Sequence, residues 1–531
     1  MLETSRIQNV NLIAPEKYNI TQDLEKYAAD SERQAIRWIV PQGNRQTLSY
    51  EQLVKHMNQY ANALTSLGIE KGDRALIIIP RLPEAYCVYL ACLKAGIVPI
   101  PCSEMLRAYD IEFRINHANA KAVIAYHTFT SEINCIKNNL PSLNTKLIIG
   151  KNENEDDWIN LDTFAAEQSI EFQAVSTTRD DMAFLSYTSG TTGKPKGVVH
   201  SHGWGYAHVR TAASSWLAVR EGDLVWATAA PGWQKWIWSP FLSTIMLGAT
   251  AFVYNGSFNA NKYLQLIQEE KINVLCCTPT EYRIMAKLDE LGDYNLSSLR
   301  SAVSAGEPLN RPVIDTFMNL FKLKVRDGYG QTENTLLIGT TENMDLRPGS
   351  MGKPTPGNIV KIIDIEGQEV APGEVGDIAV HKSSPALFKE YYNDYERTQA
   401  AFRGDWYITG DQARYDEEGY FWFEGRGDDI IISSGYTIGP FEVEDALNKH
   451  EAVQECAVVA APDEIRGSIV KAFVVLKEGF DTQEQVQLTK ELQEHVKTLT
   501  APYKYPRQIA YLKELPKTTS GKIRRIELRS H

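Results

Sequence analysis

Two kinds of apolar pattern alternate through the first half of the chain. One has helical spacing closed by glycine, as in EQLVKHMNQYANALTSLG (51–68) and PEAYCVYLACLKAG (83–96). Apolar positions three and four apart make one buried stripe, and a glycine just past the last of them ends a helix in the left-handed conformation. The other pattern is a short, continuous apolar run. RALIIIP (74–80), IVPIPC (97–102), AVIAY (122–126), MAFLSY (182–187), LVWATAAP (224–231), ATAFVY (249–254) and NVLCCTP (273–279) are of this kind. Such runs predict strands covered on both faces, and strands alternating with helices predict parallel α/β layers. A helical stretch is also expected near YNITQDLEKYAAD (18–30), and a polar, acidic surface connection over 151–180.

The pattern changes at 345–425. Short runs (IVKIID, GDIAVH, WYITGD, YFWFEG) are punctuated by Gly, Pro and Asp, which predicts a small antiparallel β-barrel. The last hundred or so residues read helix (EVEDALNKH), two strands (CAVVAAP, VKAFVVL), then a helix with Leu488, Leu492, Val496 and Leu499 on one face. The strand IAYL and the loop LPKTTSGKIRR follow. The fold class is therefore α/β: a large N-terminal domain of layered α/β subdomains plus the small barrel, and a compact α+β C-terminal domain. A length of 531 residues, beyond what one core holds, agrees with several packed units.

Composition excludes some partners. The net charge of −12 argues against nucleic acid or an anionic membrane surface. No apolar run approaches the ~20 residues of a membrane span. The first thirty residues lack a signal pattern. Seven cysteines with no C-x-x-C pair read as reduced thiols, adjacent Cys276 and Cys277 as core packing, and the location as cytoplasmic.

The densest chemistry is YTSGTTGKPKG (187–197). Thr188, Ser189, Thr191 and Thr192 supply hydroxyls, Gly190, Gly193 and Gly197 let backbone N–H groups face an anion, and Lys194 and Lys196 add charge. Together they point to a polyphosphate. It is not the common P-loop, which needs glycine five residues before its Gly-Lys pair and Ser or Thr directly after. Here Thr188 and Pro195 stand in those places around Gly193-Lys194.

The motif resembles the signature loop of the adenylate-forming superfamily (acyl- and aryl-CoA synthetases, adenylation domains of peptide synthetases, luciferases), and further motifs follow in that family's order. RSAVSAGEPL (300–309) runs into a turn whose Gly306, Glu307 and Pro308 the resemblance assigns to adenine. In DGYGQTEN (327–334), Asp327, Gly328, Gly330 and Gln331 join the nucleotide site. Tyr329 offers a ring to adenine, Thr332 a hydroxyl to phosphate, and Glu333 a carboxylate to Mg²⁺. Asp411 in WYITGD and Arg426 in GRGDD are expected at the ribose, and Asp428 at an inter-domain hinge. The implied domains are 1–427, binding ATP and the acyl group, and a mobile 428–531. Lys522, in TTSGK, matches the catalytic lysine, acting with Thr188 and Glu333. Ser434, Gly435 and Tyr436 form the glycine loop that alternates with it and serves coenzyme A.

The implied reaction joins a carboxylic acid to ATP, giving an acyl-adenylate and pyrophosphate, then passes the acyl group to coenzyme A. No general base is needed, because the attacking carboxylate is ionised at neutral pH. The resemblance is nearest to medium-chain acyl-CoA synthetases, reinforced by SSGYTIGPFEVE and APYKYPR. Acetyl-specific relatives carry tryptophan where this chain has Gly330, so an open pocket and a medium-chain, branched or aromatic acid are expected. Trp233, in GWQKWIWSP (232–240), is expected on the acyl pocket wall, while its neighbours Trp236 and Trp238 fit a core. Thr437 replaces a usual arginine and Asn334 a common threonine. His200 and His202 are expected to be structural rather than metal ligands. Two other readings are a synthetase loading a separate carrier protein and a non-catalytic nucleotide-binding relative. A fused carrier is not expected nine residues from the chain's end.

Overall fold

A computed structural model describes residues 10–151, 157–188, 195–306, 309, 311–426, 431–480, 485–516, 523 and 525–529. Helices begin where local chemistry directs. The Gln52 amide N–H donates to Ser49 Oγ at 3.2 Å and the Gln52 side chain accepts from the Ser49 N–H at 2.9 Å, which opens the helix Tyr50–Ser66. The helix Pro83–Lys94 starts with proline, whose missing N–H costs nothing in a first turn.

The largest sheet has nine strands. Its parallel centre runs, in spatial order, Val325–Gly330, Ser301–Ala305, Val274–Cys277, Leu224–Ala227, Thr250–Tyr254 and Gln34–Ile39, with antiparallel strands at both edges. From Leu224–Ala227 the chain passes to Thr250–Tyr254 on one side. From Val274–Cys277, on the other side, it passes to Ser301–Ala305 and away. The winding direction reverses between these two central strands. Such a reversal opens a crevice beyond the strands' C-terminal ends, where Thr228, Thr278 and Gly306 lie. Alternation across this sheet puts Cys276 among Val225, Val274 and Val303 on one face and Cys277 among Leu275, Tyr282 and Ala302 on the other. Both thiols are core.

A second sheet is wholly parallel, in the order Val98–Pro101, Arg74–Ile78, Ala122–Tyr126, Thr145–Ile149 and Ile159–Asn160. The stretch expected to be a surface connection thus contributes this last strand and the helix Leu161–Ala166. Trp158, 1% exposed and donating to Asn134 Oδ1 at 2.9 Å, draws it inward. A hairpin of Met182–Thr188 and Lys196–Ser201 is extended by Glu390–Tyr391. Residues 360–426 form the expected antiparallel unit as an open five-stranded sheet. From 431 onward the chain has its own core, with Val453–Asp463, Gly467–Leu476 and Gln508–Tyr511 in one sheet and Leu492 and Val496 of helix Gln485–Leu499 buried on it. Among the described residues no helix is long and apolar enough to cross a membrane.

Candidate active site

The crevice at the sheet reversal widens into a cleft of about 730 Å³. It is closed on one side by the 182–201 hairpin, on another by the open antiparallel sheet and at its mouth by the C-terminal unit. Residues far apart in sequence meet here because each follows the end of a strand.

The hairpin sets Thr188 opposite Lys196, so both ends of the hydroxyl–glycine–lysine loop are held in register at the cleft wall. Lys196 Nζ lies 3.9 Å from Glu333 Oε1 and 5.0 Å from the centre of the Tyr391 ring. The Tyr391 hydroxyl donates to the same Glu333 oxygen at 3.0 Å. Glu333 Oε2 has no hydrogen-bond partner among the described residues. A buried carboxylate with one oxygen outside that hydrogen bond, beside a lysine in the same cleft, fits a hard cation that would take its remaining ligands from a bound phosphate.

Gly306 has a φ of +110°, a conformation side chains resist, and follows Ala305 at the end of its strand. Thr332, one residue before Glu333, lines the cleft. Asp411, 3% exposed, is oriented by two donors on Oδ2: the Tyr329 hydroxyl at 2.6 Å and Gln331 Nε2 at 2.7 Å. Arg426 stands opposite Asp411 in the adjacent strand. The turn carrying Gln331 is itself held by Asn334, whose Oδ1 accepts the Gln331 N–H at 2.8 Å.

At the mouth, the hairpin Ile431–Ser433/Tyr436–Ile438 enters from the C-terminal unit. Tyr436 stacks on Tyr503 at 4.3 Å, and both rings abut Trp233 at 5.1 and 5.3 Å. The Gly435 Cα lies 3.9 Å from where a Cβ on Gly306 would stand. Arg283 Nη1 donates to the Ile465 carbonyl at 2.7 Å, a further tie between the two units.

A family model described as AMP-binding enzyme matches residues 24–392, and one described as AMP-binding enzyme C-terminal domain matches residues 442–522. The chain belongs to the AMP-binding enzyme family. It is 59% identical over 524 residues to the uncharacterized acyl-CoA ligase YtcI of Bacillus subtilis, covering 98% of each chain. It is 40% identical to the mouse mitochondrial acyl-coenzyme A synthetase ACSM3, covering 98% of this chain and 92% of that one. The crystal structure of the anthranilate CoA ligase AuaEII in complex with anthranoyl-AMP matches with a TM-score of 0.74 at 30% identity, over 97% of this chain and 98% of that one.

In this AMP-binding enzyme the cleft gathers Thr188, Lys196, Trp233, Gly306, Asp327, Gly328, Tyr329, Gly330, Gln331, Thr332, Glu333, Asp411, Ser434, Gly435 and Tyr436, all expected from the sequence. Ser189, Gly190, Thr191, Thr192, Gly193, Lys194, Glu307, Pro308, Asp428 and Lys522 lie outside the described residues, as do the side chains of Arg426 and Thr437. His200 stacks on Trp204 at 4.3 Å, while His202 Nδ1 accepts the Ile20 N–H at 3.2 Å, so the two rings serve different parts of the core.

Gly330 lines the cleft in tight surroundings: a Cβ there would lie 2.2 Å from the Thr335 carbonyl oxygen and 2.9 Å from Trp238 Cη2. Trp238, expected in the core, is part of it and also borders the cleft, with its ring edge next to Gly330. Gly330→Ala should therefore destabilise the fold by about 1–3 kcal/mol through overpacking, read as a lowered Tm. An unchanged Tm would contradict this packing.

Asp327 is fully enclosed, and burial pushes its pKa from 3.8 up to about 7, against the Leu309 and Gly328 N–H groups and Lys235, which pull it down. A raised folded-state pKa contributes stability that is complete below the unfolded value and lost as pH rises through about 7. Asp327→Asn should flatten the fall in denaturant midpoint between pH 5 and 8. An identical slope in wild type and variant would contradict the assignment.

Arg81, Lys235, Tyr391 and Tyr503 also line the cleft and were not singled out from the sequence. Arg81 directly follows a predicted strand and Lys235 sits in the tryptophan-rich run, signals that position alone could have supplied. Tyr391 and Tyr503 arrive by long-range packing.

Proposed function

We propose that this chain is an AMP-forming carboxylate–CoA ligase, activating an acid longer than acetate as its adenylate and transferring the acyl group to coenzyme A. The observation that carries the reading is the convergence of the loop ends Thr188 and Lys196, the Gly306 turn, Glu333 and the doubly oriented Asp411 in one cleft, with a glycine hairpin of the second unit at its mouth.

The chemistry joins two anions, so charge neutralisation and alignment carry it. Lys196 and the 188–194 loop hold phosphate oxygens, Asp411 accepts from the ribose hydroxyls, and the backbone beside Gly306 with the Tyr329 ring holds adenine. Glu333 would hold Mg²⁺, which supplies charge neutralisation at the phosphates. Lys522 bridges the acid carboxylate and the α-phosphate oxygens. Oxygen of the acid bonds to the α-phosphorus and pyrophosphate leaves. The thiolate of coenzyme A then adds to the acyl carbon and AMP departs. Trp233, Tyr436 and Tyr503 form the aromatic collar through which the thiol reaches it. We place the domains at 1–427 and 428–531, and the enzyme in the cytoplasm.

A panel of carboxylic acids tests the reading through pyrophosphate release with and without coenzyme A. At least one acid should give pyrophosphate, with AMP turnover that depends on coenzyme A. Pyrophosphate release unaffected by coenzyme A would point to another acceptor, and none with any acid would overturn the ligase reading.

A further inference from the structure

One cation of the cleft wall is buried with no anion in hydrogen-bond contact among the described residues. Arg114, on the helix Ala108–Ala118, is 7% exposed and lines the cleft together with Ser103, Leu106 and Tyr187. Its Nη1 donates to the Asp110 carbonyl, one turn back on the same helix, at 2.7 Å. The Asp110 carboxylate stands farther off, with Oδ1 at 3.9 Å, and its other oxygen accepts the Arg107 N–H at 3.4 Å. Arg114 Nε and Nη2 have no hydrogen-bond partner among the described residues, and neither is sealed from solvent. The guanidinium carbon lies 5.4 Å from the centre of the Tyr187 ring, whose hydroxyl is fixed 2.8 Å from His117 Nδ1. Tyr187 directly precedes Thr188, where the hairpin opens into the hydroxyl–glycine–lysine loop. Arg114 thus stands beside the base of that loop.

A guanidinium withdrawn from water is costly unless its N–H groups are matched. An ion pair beyond hydrogen-bond distance matches only part of it. The unused edge, Nε with Nη2, has the planar fork geometry that takes two oxygens of one phosphate. The C-terminal unit covers the same place: Ala501 and Tyr503 join the apolar cluster that holds Leu106 and Tyr187, so an anion seated here is shielded from bulk water and held more strongly. From this placement we infer that Arg114 is a phosphate-binding residue of the cleft, its open edge holding either the pyrophosphate end of ATP or a phosphate of coenzyme A. The inference rests on the ligase reading for the identity of those two ligands.

Isothermal titration of the full chain with inorganic pyrophosphate alone, and with coenzyme A alone, reads binding without turnover. The wild type should bind at least one of them. Arg114→Gln, which keeps an N–H donor for the Asp110 carbonyl but removes the charge, should weaken that binding about tenfold or more. Arg114→Lys, which restores charge without the fork, should recover part of the loss. A loss confined to pyrophosphate assigns the ATP end to this edge, and a loss confined to coenzyme A assigns the coenzyme. Asp110→Asn separates ligand binding from bracing of the helix: it takes away the carboxylate and keeps the carbonyl, so binding should hold or tighten. Equal losses in Asp110→Asn and Arg114→Gln would make Arg114 a brace of its own helix and overturn the inference. Unchanged binding of both ligands in Arg114→Gln, or a wild type that binds neither, would also overturn it. Failure of the ligase reading shows separately, as no AMP from any acid, while the pyrophosphate titration still decides whether Arg114 holds phosphate.

Discussion

Replacing Lys522 with alanine should slow adenylate formation by about a hundred- to a thousandfold, the usual effect of removing one preorganised stabiliser of developing charge. The same variant should still convert supplied acyl-adenylate and coenzyme A to thioester near the wild-type rate. The separation follows from how the C-terminal unit is built. Ile523, next to Lys522, packs with Leu515 and Leu528 on the sheet face made by Ala457, Val459, Phe473 and Val475. Tyr436, at the cleft mouth, packs with Val458, Ala472 and Val474 on the opposite face. Tyr436 and Ile523 thus sit on opposite faces of one sheet, which supports the proposal that the lysine segment and the glycine hairpin take turns at the cleft. Rapid-quench measurement of the two half-reactions decides it: equal losses in both would remove Lys522 from this role.

Gly435→Val should give the reciprocal result, adenylate formation retained and thioester formation lost by a hundredfold or more. Gly435 has a φ of +78°, which a β-branched residue adopts only with strain. A Cβ added there would already be in van der Waals contact with Thr278 Cγ2 at 3.5 Å, so the two further methyl groups of valine are what would crowd this side of the hairpin. A bulkier hairpin could not settle at the cleft mouth, where the Trp233–Tyr436–Tyr503 collar forms, yet it would leave the lysine-facing arrangement untouched. If the variant makes acyl-adenylate and thioester in wild-type proportion, the collar is not the thiol's route.

Much of the site was legible because its residues fall at strand ends, where local pattern and fold agree. Thr188 follows MAFLSY, the hairpin strand readable as an apolar run, and Gly306 follows the end of RSAVSA. Pairings across long separations were not legible. The Tyr391 hydroxyl on Glu333 spans 58 residues and the Tyr329 hydroxyl on Asp411 spans 82. Nothing local specifies either. The tryptophan-rich run was split correctly: Trp233 lines the cleft, and Trp236 is core, stacked on Phe241 at 4.9 Å. Trp238 belongs to the same core and also borders the cleft, just before the helix breaks at Ser239, whose φ and ψ of −150° and 129° are extended. Residues 151–180 hid a strand because its two residues, Ile159 and Asn160, are too few to form a pattern.

The central claim is that an acid oxygen bonds to the α-phosphorus of ATP in this cleft. Isotope transfer tests it directly: an accepted acid labelled with ¹⁸O in its carboxylate is turned over with ATP and coenzyme A, and the products are analysed by mass spectrometry. One labelled oxygen per turnover should appear in AMP, with unlabelled pyrophosphate. Label in inorganic phosphate with ADP as the nucleotide product, or AMP free of label, would contradict the account.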